Sequence, residues 1–318
     1  MALQYFTATS YLQIGYDYPK FLTTGDDTMK TAHAILIAVF IFVTPSAVAQ
    51  ITFPDTTVQS TAHVPLVSTI VVSPVGTAVQ NGTALKATYE AIVGATATAP
   101  ILVKVEPGVY DLGTGRITLR PYVNLEGSGK KSTTIKSSQD SVTFGVLDFF
   151  QSGEIEIQGL TLEHTGTLRA LGIYNSSTML LQDVNVSLTG VLTDDLYGVQ
   201  NTGVLRMNDC NIASSGYAIV AASKSAVGVK NSGTCELFET TIRMNGSGAT
   251  QPAALMNLSG SSVLRHCVAI AVDTGSAGIR EGLWVIAGSA SAGACELTSY
   301  IVYTGATVKV VNSWLPDF

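Results

Sequence analysis

Hydrophobic residues in the middle of the chain alternate with polar ones in short runs that recur along the sequence. Alternation with a period of two is typical of β-strands. Each run ends in an aliphatic residue, and the clearest copies end at Leu162, Val186, Ile212 and Ile242. Later copies are looser and end at Ile270 and Val302. This pattern predicts a domain built mainly of short strands.

A second pattern recurs with the first and consists of a small residue, an aliphatic residue, any residue and an asparagine. Successive small residues are 26, 30, 26 and 28 positions apart. A repeat of this length without a helical signature predicts a solenoid with one coil per repeat. The copies are Gly172–Asn175, Gly198–Asn201, Gly228–Asn231, Ala254–Asn257 and the degenerate Gly282–Val285.

The two patterns show where the coils vary in length. Fourteen residues separate the small residue from the next strand-ending aliphatic residue in three successive coils, Gly172 to Val186, Gly198 to Ile212 and Gly228 to Ile242. The connections on the other side range from 9 to 15 residues. Stacking in register fixes the strands and leaves only outward loops free to vary. We therefore predict an all-β, right-handed parallel β-helix of about eight coils.

The recurrent asparagines have two interpretations. Amides at equivalent turns of stacked coils can bond to one another as a structural ladder, and asparagine also tolerates the left-handed turn conformation. Amides are also able to bind a ligand. We favour the ladder for Asn175, Asn201, Asn231 and Asn257.

The start of the repeat region predicts a capping helix. Leu85, Tyr89 and Ile92 have helical spacing, and Asn81 or Thr83 is suited to cap the N-terminus. A helix over residues 81–95 would cover the unpaired strand edges at this end of a β-helix domain spanning 81–318.

The N-terminal region carries the pattern of an export signal. Lys30 precedes an apolar run at Ala34–Val43, and Ala47–Ala49 has the A-x-A form of a cleavage site. We predict an upstream extension at 1–28, a signal peptide at 29–49 and a lead-in at 50–80. The apolar run is about half the length that a membrane span needs. The expected mature chain is secreted, to the periplasm or the cell exterior, with no stable membrane span after cleavage.

Composition narrows the classes of partner. Charged residues make up 13% of the chain and the net charge is −6, with no basic run. This argues against a nucleic-acid partner.

The cysteines are Cys210, Cys235, Cys267 and Cys295, and none forms a C-x-x-C pair. We predict buried core positions for them, with a disulfide between neighbouring coils left open, and neither a metal site nor a cofactor.

One segment carries a family resemblance. Residues 103–135 read VKVEPGVYDLGTGRITLRPYVNLEGSGKKSTTI, with a P-G-V-Y turn and N-L-E-G-S-G before T-T-I. This segment resembles the opening coils of pectin methylesterases and the wider pectin-lyase-like superfamily. The chain as a whole is most similar to bacterial exported right-handed parallel β-helix repeat proteins. The resemblance covers about residues 67–260 and implies the same fold and a carbohydrate polymer as partner.

The catalytic motifs that this resemblance implies are incomplete. Pectin methylesterases carry G-Y-Q-D-T-L-Y and, one coil later, G-T-V-D-F-I-F-G. Gly190–Tyr197 keeps an aspartate and Leu-Tyr but lacks the glutamine, and Cys210–Ile219 has no aspartate in place of the second motif. Gly145–Phe150 resembles the second motif but lies about two coils too early in the chain. Of the polygalacturonase motifs, only the pair Asp194-Asp195 occurs.

Candidate catalytic side chains lie in the variable loops. Loops stacked at coil spacing are expected to bring Glu163, Arg169 and Asp194 within about 5–10 Å, a range suited to acid–base chemistry or to sugar hydroxyls. Asp195, next to Asp194, is a further candidate. The Asp194-Asp195 pair is more typical of a solvated loop tip. His164 is interpreted as an ordinary turn histidine.

Two functions follow as hypotheses. The incomplete motifs favour a non-catalytic exported β-helix with a structural, adhesive or carbohydrate-contacting role at a polysaccharide or cell-envelope surface. The alternative is a polysaccharide-acting enzyme, pectinesterase-like or lyase-like, that uses the variable-loop face. With Trp284 and Trp314 as the only tryptophans, the sequence does not predict a long aromatic platform for sugars.

Overall fold

The computed structural model describes residues 68–141, 143–167, 169–189, 191–192, 194–214, 218–219, 224–245, 251–272 and 281–313. They belong to a compact unit that spans 62–318. The predicted upstream extension, the signal peptide and most of the lead-in lie outside the described residues. Within the described part, no helix has the length and apolarity that crossing a membrane requires.

The described part contains one helix, α1 (Ala78–Glu90), and 26 strands. The strands are β1 (Ser68–Val72), β2 (Ile101–Val105), β3 (Gly108–Asp111), β4 (Ile117–Thr118), β5 (Val123–Gly127), β6 (Thr133–Ser137), β7 (Leu147–Phe149), β8 (Glu154–His164), β9 (Ala170–Asn175), β10 (Thr178–Leu188), β11 (Val191–Leu192), β12 (Leu196–Asn201), β13 (Val204–Asn208), β14 (Asn211–Ser214), β15 (Ala218–Ile219), β16 (Ser225–Asn231), β17 (Thr234–Phe238), β18 (Thr241–Asn245), β19 (Gln251–Asn257), β20 (Ser261–Arg265), β21 (Val268–Val272), β22 (Glu281–Val285), β23 (Ser289–Gly293), β24 (Glu296–Leu297), β25 (Tyr300–Val302) and β26 (Thr307–Val311).

The strands stack into two long parallel sheets. The main path of the first sheet runs β1-β2-β5-β8-β10-β13-β17-β20-β23-β26, with β3, β6, β14, β18, β21 and β24 alongside it. The second sheet stacks eight strands, β4-β7-β9-β12-β16-β19-β22-β25. Each strand pairs in parallel with its counterpart one coil later, as β9 with β12 and β12 with β16. The predicted parallel β-helix is therefore confirmed.

The repeated spacing of fourteen residues reflects a contact across the interior. A Cβ atom on Gly198 would lie 2.4 Å from Cγ2 of Ile212 and 2.5 Å from the carbonyl oxygen of Gly228 in the next coil. Gly172 stands in the same relation to Val186, and Gly228 to Ile242. In these three repeats the glycine leaves room for the aliphatic residue that ends the next strand run, because the two meet inside the coil.

The four asparagines of the repeat form a continuous amide ladder. Asn175 Nδ2 donates to Asn201 Oδ1 at 2.8 Å, Asn201 to Asn231 at 2.7 Å, and Asn231 to Asn257 at 2.7 Å. All four side chains are fully buried. The first three amides also donate to a carbonyl at the turn that follows their own strand, as Asn201 Nδ2 does to Gly203, whereas Asn257 donates to the carbonyl of Ala287 in the next coil. The ladder therefore satisfies buried polar groups along the second sheet.

The capping helix begins earlier than its residue pattern predicts. Thr77 is the N-cap, and it forms a capping box with Gln80, so neither Asn81 nor Thr83 has that role. Asn81 is instead buried and accepts from the backbone N–H groups of Val75 and Gly76 at 2.7 and 3.0 Å. The first strand, β1, pairs with β2, so the stacked sheet begins within the region interpreted as a lead-in.

Candidate functional site

The second sheet buries apolar side chains on both of its faces. Ile173, Val199 and Val229 belong to the main core, whereas Leu171, Tyr197 and Val227 form a separate cluster with Ala253, Met256 and Trp284. The residues of this second cluster stack in register, as Leu171 on Tyr197 and Tyr197 on Val227. We call the surface formed by this second cluster and its polar neighbours the outer face.

Asp195 lies at one edge of the outer face, directly before β12, and bonds to groups in three successive coils. Its Oδ2 lies 3.5 Å from Nη2 of Arg169 in the preceding coil and accepts from the Tyr197 hydroxyl at 2.9 Å. Its Oδ1 accepts from the backbone N–H of Ser225 in the following coil at 2.8 Å. This carboxylate therefore ties neighbouring coils together.

Asp194 is engaged in a similar way. Its Oδ1 lies 2.7 Å from Nζ of Lys224, one coil later, and accepts from the backbone N–H of Asp195 at 2.8 Å. Burial opposes ionisation of Asp194, but the bonds from Lys224 and from the backbone outweigh it, so the pKa of Asp194 lies below its usual range. Asp194 is thus held in its charged form.

Two cations surround the ring of Tyr197. The guanidinium carbon of Arg169 lies 4.7 Å from the ring centroid, and Nζ of Lys230 lies 4.3 Å from it. Lys230 Nζ also donates to the Tyr197 hydroxyl at 3.1 Å. Burial raises the pKa of Tyr197, and the negative charge of Asp195 raises it further. Burial and the nearby Arg169 charge lower the pKa of Lys230.

The structure brings together only part of the predicted catalytic set. Arg169, Asp194 and Asp195 lie around the edge of the second sheet, as the stacking of the variable loops predicts. Glu163 lies instead in β8 of the first sheet, where it pairs with Lys136 at 3.5 Å. The expectation that Glu163 joins the aspartates is therefore not met, because β8 continues through position 163 and the chain reaches the second sheet only at β9.

His164 occupies a buried turn. Its Nε2 lies 2.8 Å from the carbonyl oxygen of Gln139, and its Nδ1 accepts from the backbone N–H of Gly166 at 3.1 Å. Burial lowers the pKa of His164. These contacts correspond to a neutral imidazole that ties two turns together.

A second cluster lies on the first coils of the same sheet and was not predicted as a site. Asp148 in β7 is fully buried, and its Oδ1 accepts from the backbone N–H of Gly145 at 2.8 Å. Its Oδ2 forms an ion pair with Nε of Arg116 at 3.1 Å. The two groups are not aligned for a hydrogen bond. Burial raises the pKa of Asp148 to about 7 despite both partners. The motif at Gly145–Phe150 was interpreted as a coincidence because of its place in the chain. Its aspartate, Asp148, is nevertheless the described aspartate whose pKa rises most.

Aromatic rings extend this cluster toward Tyr197. Arg116 lies over the ring of Phe144 at 3.4 Å, Phe144 contacts Phe150 edge-on at 5.8 Å, and Phe150 lies 5.0 Å from Tyr174. Phe150 is 39% exposed. The sequence did not predict this aromatic surface, because Tyr174 and Tyr197 occupy different positions of their repeats and therefore give no recurrent signal.

Other described surfaces offer less chemistry. A groove of about 300 Å³ on the first sheet is lined by Tyr122, Glu154, Glu156 and Arg206, among others. Arg206 pairs with Glu236 at 3.0 Å, with both side chains at least half exposed. Within the described ranges, no group of three or more His, Cys, Asp and Glu side chains is arranged to hold a metal ion.

The topology and stacking define a parallel β-helix. No family model and no curated protein sequence matches this chain. Among solved structures, it is similar to the A-module of the mannuronan C-5 epimerase AlgE6 from Azotobacter vinelandii, with 14% identity and a TM-score of 0.29, over 74% of this chain and 96% of that one. It is also similar to the pectin methylesterase PemA from Erwinia chrysanthemi, with 11% identity and a TM-score of 0.30, over 67% and 73% of the two chains. Similarity at this level carries no argument about site residues.

Proposed function

We propose that this chain is an exported, non-catalytic β-helix that contacts a polysaccharide or cell-envelope surface through the outer face of its second sheet. The observation that carries this proposal is the bonding of the candidate carboxylates. Asp194 and Asp195 each bond to groups of a neighbouring coil, and Glu163 pairs with Lys136. A general acid or base must be free to exchange a proton with a substrate. Carboxylates used as ties between coils are poorly suited to that work.

The aromatic surface supports the binding part of the proposal. Sugar rings present apolar C–H faces that pack on aromatic rings, while their hydroxyl groups bond to charged side chains. Phe150 and Tyr174 offer partly accessible rings next to Phe144, which Arg116 covers, and the Tyr197 ring with its two cations lies one coil beyond Tyr174. This combination suits a polysaccharide chain lying across several coils.

The export part rests on the pattern of residues 29–49. Its test is expression of the full chain in a bacterial host, with mass spectrometry of the N-terminus recovered outside the cytoplasm. Cleavage before Gln50 is the expected result, and retention of an uncleaved chain in the cytoplasm would contradict it.

The functional test combines product analysis with binding. The purified protein is incubated with a panel that includes methylated and unmethylated pectin, and the polymers are analysed by mass spectrometry and affinity electrophoresis. We expect no new product and retardation by at least one polymer. The double variant Phe150→Ala/Tyr174→Ala is expected to weaken that retardation at least about tenfold, since the packing of a sugar on each ring contributes on the order of 1 kcal/mol.

Two controls make the outcome specific. Arg206→Ala, on the other sheet, removes an exposed ion pair and should leave binding unchanged. A polymer product that disappears in Asp194→Ala/Asp195→Ala would overturn the non-catalytic assignment.

A second candidate function is a carbohydrate esterase or polysaccharide lyase, and Asp148 is the observation that favours it. A carboxyl group whose pKa is near 7 can exchange protons at neutral pH. This candidate predicts a polymer product that is lost in Asp148→Asn and kept in Asp194→Ala/Asp195→Ala. The same product analysis therefore separates the two functions.

A further inference from the structure

Two of the four cysteines occupy equivalent positions in successive coils. Cys267 and Cys295 each follow a residue in the left-handed conformation, His266 with φ 54° and Ala294 with φ 53°. The backbone N–H of Glu296 donates to the carbonyl of Cys267 at 2.9 Å, which holds the two turns in register. The side chains are both buried, at 2% exposure.

The other two cysteines do not have a cysteine at the equivalent position of the next described coil. Cys210 is followed one coil later by Thr240, as the bond from Thr241 N–H to the Cys210 carbonyl shows. Cys235 lies in β17 in register with Leu205 on one side and Ser262 on the other. Among the described cysteines, stacking therefore selects the pair Cys267 and Cys295.

The geometry of this pair suits a covalent bond. Stacked residues of neighbouring strands have Cα atoms about 4.8 Å apart, inside the range of about 4.4–6.8 Å found for disulfides. The sulfur of Cys295 lies 3.5 Å from the backbone nitrogen of Cys267, so it leans toward its neighbour. Hydrogen bonds from the Cys267 thiol and N–H group lower the pKa of Cys295, which favours the thiolate needed for exchange.

We propose that Cys267 and Cys295 are a modification site at which a disulfide staples two successive coils near the C-terminal end of the described β-helix. With a small-molecule disulfide such as oxidised glutathione, the Cys295 thiolate attacks one sulfur and releases one glutathione thiolate. The Cys267 thiol then loses its proton and attacks the Cys295 sulfur of the mixed disulfide, which releases the second glutathione. The protein loses two electrons and two protons, and glutathione disulfide gains them as two thiols.

The proposed disulfide lies near the C-terminal end of the described stack of coils. β25 and β26 are the last described strands of their sheets. The coil that contains Cys295 is therefore followed by fewer described coils than a central coil is. A bond between residues 28 positions apart restricts the unfolded chain and holds this coil to the one before it. The inference stands on the stacking of the cysteines and is independent of the proposed polysaccharide contact.

The test maps cysteine pairing in the full chain. One sample of folded protein is incubated with oxidised glutathione, and a second is unfolded and refolded in a glutathione redox buffer. Free thiols are then alkylated, and the protein is digested with trypsin. The four cysteines fall on four different peptides, Met207–Lys224, Asn231–Arg243, His266–Arg280 and Glu281–Lys309.

The expected product is the last two of these peptides joined, with Cys210 and Cys235 alkylated. The joined pair should be absent after reduction and in Cys295→Ser, and present in the matched control Cys235→Ser. The oxidised protein should melt about 5–10 °C higher than the reduced protein. The joined pair in either sample supports the proposal. Alkylation of both Cys267 and Cys295 in both samples, or a different pairing, would overturn it.

Discussion

At the scale of single residues, Asn201 shows how one amide serves several coils. It accepts from Asn175 and donates to Asn231 and to two backbone carbonyls, in a fully buried position. Removing a buried partner leaves the remaining groups without hydrogen bonds, and each such group costs about 1–3 kcal/mol.

We therefore expect Asn201→Ala to lower the free energy of unfolding by about 2–4 kcal/mol. Urea denaturation followed by circular dichroism measures this loss. Asn208→Ala, at a half-buried position outside the ladder, is the matched control and should change stability by less than about 1 kcal/mol. Equal losses in the two variants would show that the ladder adds nothing to stability.

Asp148 predicts a dependence of stability on pH. Its pKa of about 7 in the folded protein lies above its value in the unfolded chain, so the folded state binds the proton more tightly. The contribution of this group is fully present below about pH 4 and is lost as the pH rises toward 7. It amounts to about 4 kcal/mol at most.

Asp148→Asn should remove this dependence. Thermal melting of the wild type and the variant between pH 4 and 8 gives the comparison, and the difference between their melting temperatures should change in favour of the variant as the pH rises. A constant difference across this range would mean that Asp148 does not titrate there. Asp194, whose pKa is lowered, contributes in the opposite direction but equally in both proteins.

At the scale of an element, the N-terminal cap of helix α1 can be tested by substitution. The Thr77 side chain accepts from the Gln80 N–H, and the Gln80 side chain accepts from the Thr77 N–H at 2.8 Å. Thr83, one of the two caps expected from sequence, instead donates its hydroxyl to the carbonyl of Val79 within the helix.

Thr77→Ala should cost about 1 kcal/mol of stability, because the backbone N–H of Gln80 loses its side-chain acceptor at the helix start. Thr83→Ala should be neutral or slightly stabilising, since alanine has the higher helix propensity. Urea midpoints of the two variants decide the matter, and a larger loss in Thr83→Ala would contradict the observed cap.

The repeat itself supplies a second prediction at this scale. Gly198→Val would place side-chain atoms where Ile212 and the Gly228 carbonyl already lie. We expect a loss of more than about 3 kcal/mol or failure to fold. Wild-type stability in Gly198→Val would refute the contact across the interior.

At the scale of the whole solenoid, the protection of backbone amides against hydrogen exchange should decrease toward the C-terminal end of the two sheets. β12 has a paired strand on each side, whereas β25 and β26 each have one among the described strands. β26 alternates exposed and half-buried residues, with Val311 43% exposed. Stability in stacked repeats is the sum of contacts between neighbours.

Hydrogen exchange measured by mass spectrometry should therefore be slowest in peptides covering β9, β12 and β16 and fastest in β25 and β26. Forming the proposed disulfide should slow exchange near β22 and β23 and leave β12 unchanged. Uniform protection along the chain would contradict a stability built from contacts between neighbouring coils.

Stacking determines the features of this protein that the sequence predicts correctly. Residues at equivalent positions of successive coils occupy the same environment, so the same residue type recurs at each of them. Gly172, Gly198 and Gly228 repeat because each faces an aliphatic side chain across the interior. The asparagines repeat because each amide bonds to the next. The parallel solenoid and the ladder could be predicted from these regularities alone.

The candidate site and the stacking of two cysteines were decided only by the tertiary structure. Outward side chains are not constrained by stacking, so Phe150, Tyr174 and Tyr197 leave no repeat in the sequence even though Tyr174 and Tyr197 share one sheet and Phe150 follows one of its strands. The length of β8 separates Glu163 from Asp195, and local packing buries Asp148. Cys267 and Cys295 are 28 positions apart, a spacing close to the 25 and 32 that separate the other neighbouring cysteines. Only the register of the folded coils brings one of these pairs face to face, because register depends on the path of every loop between them.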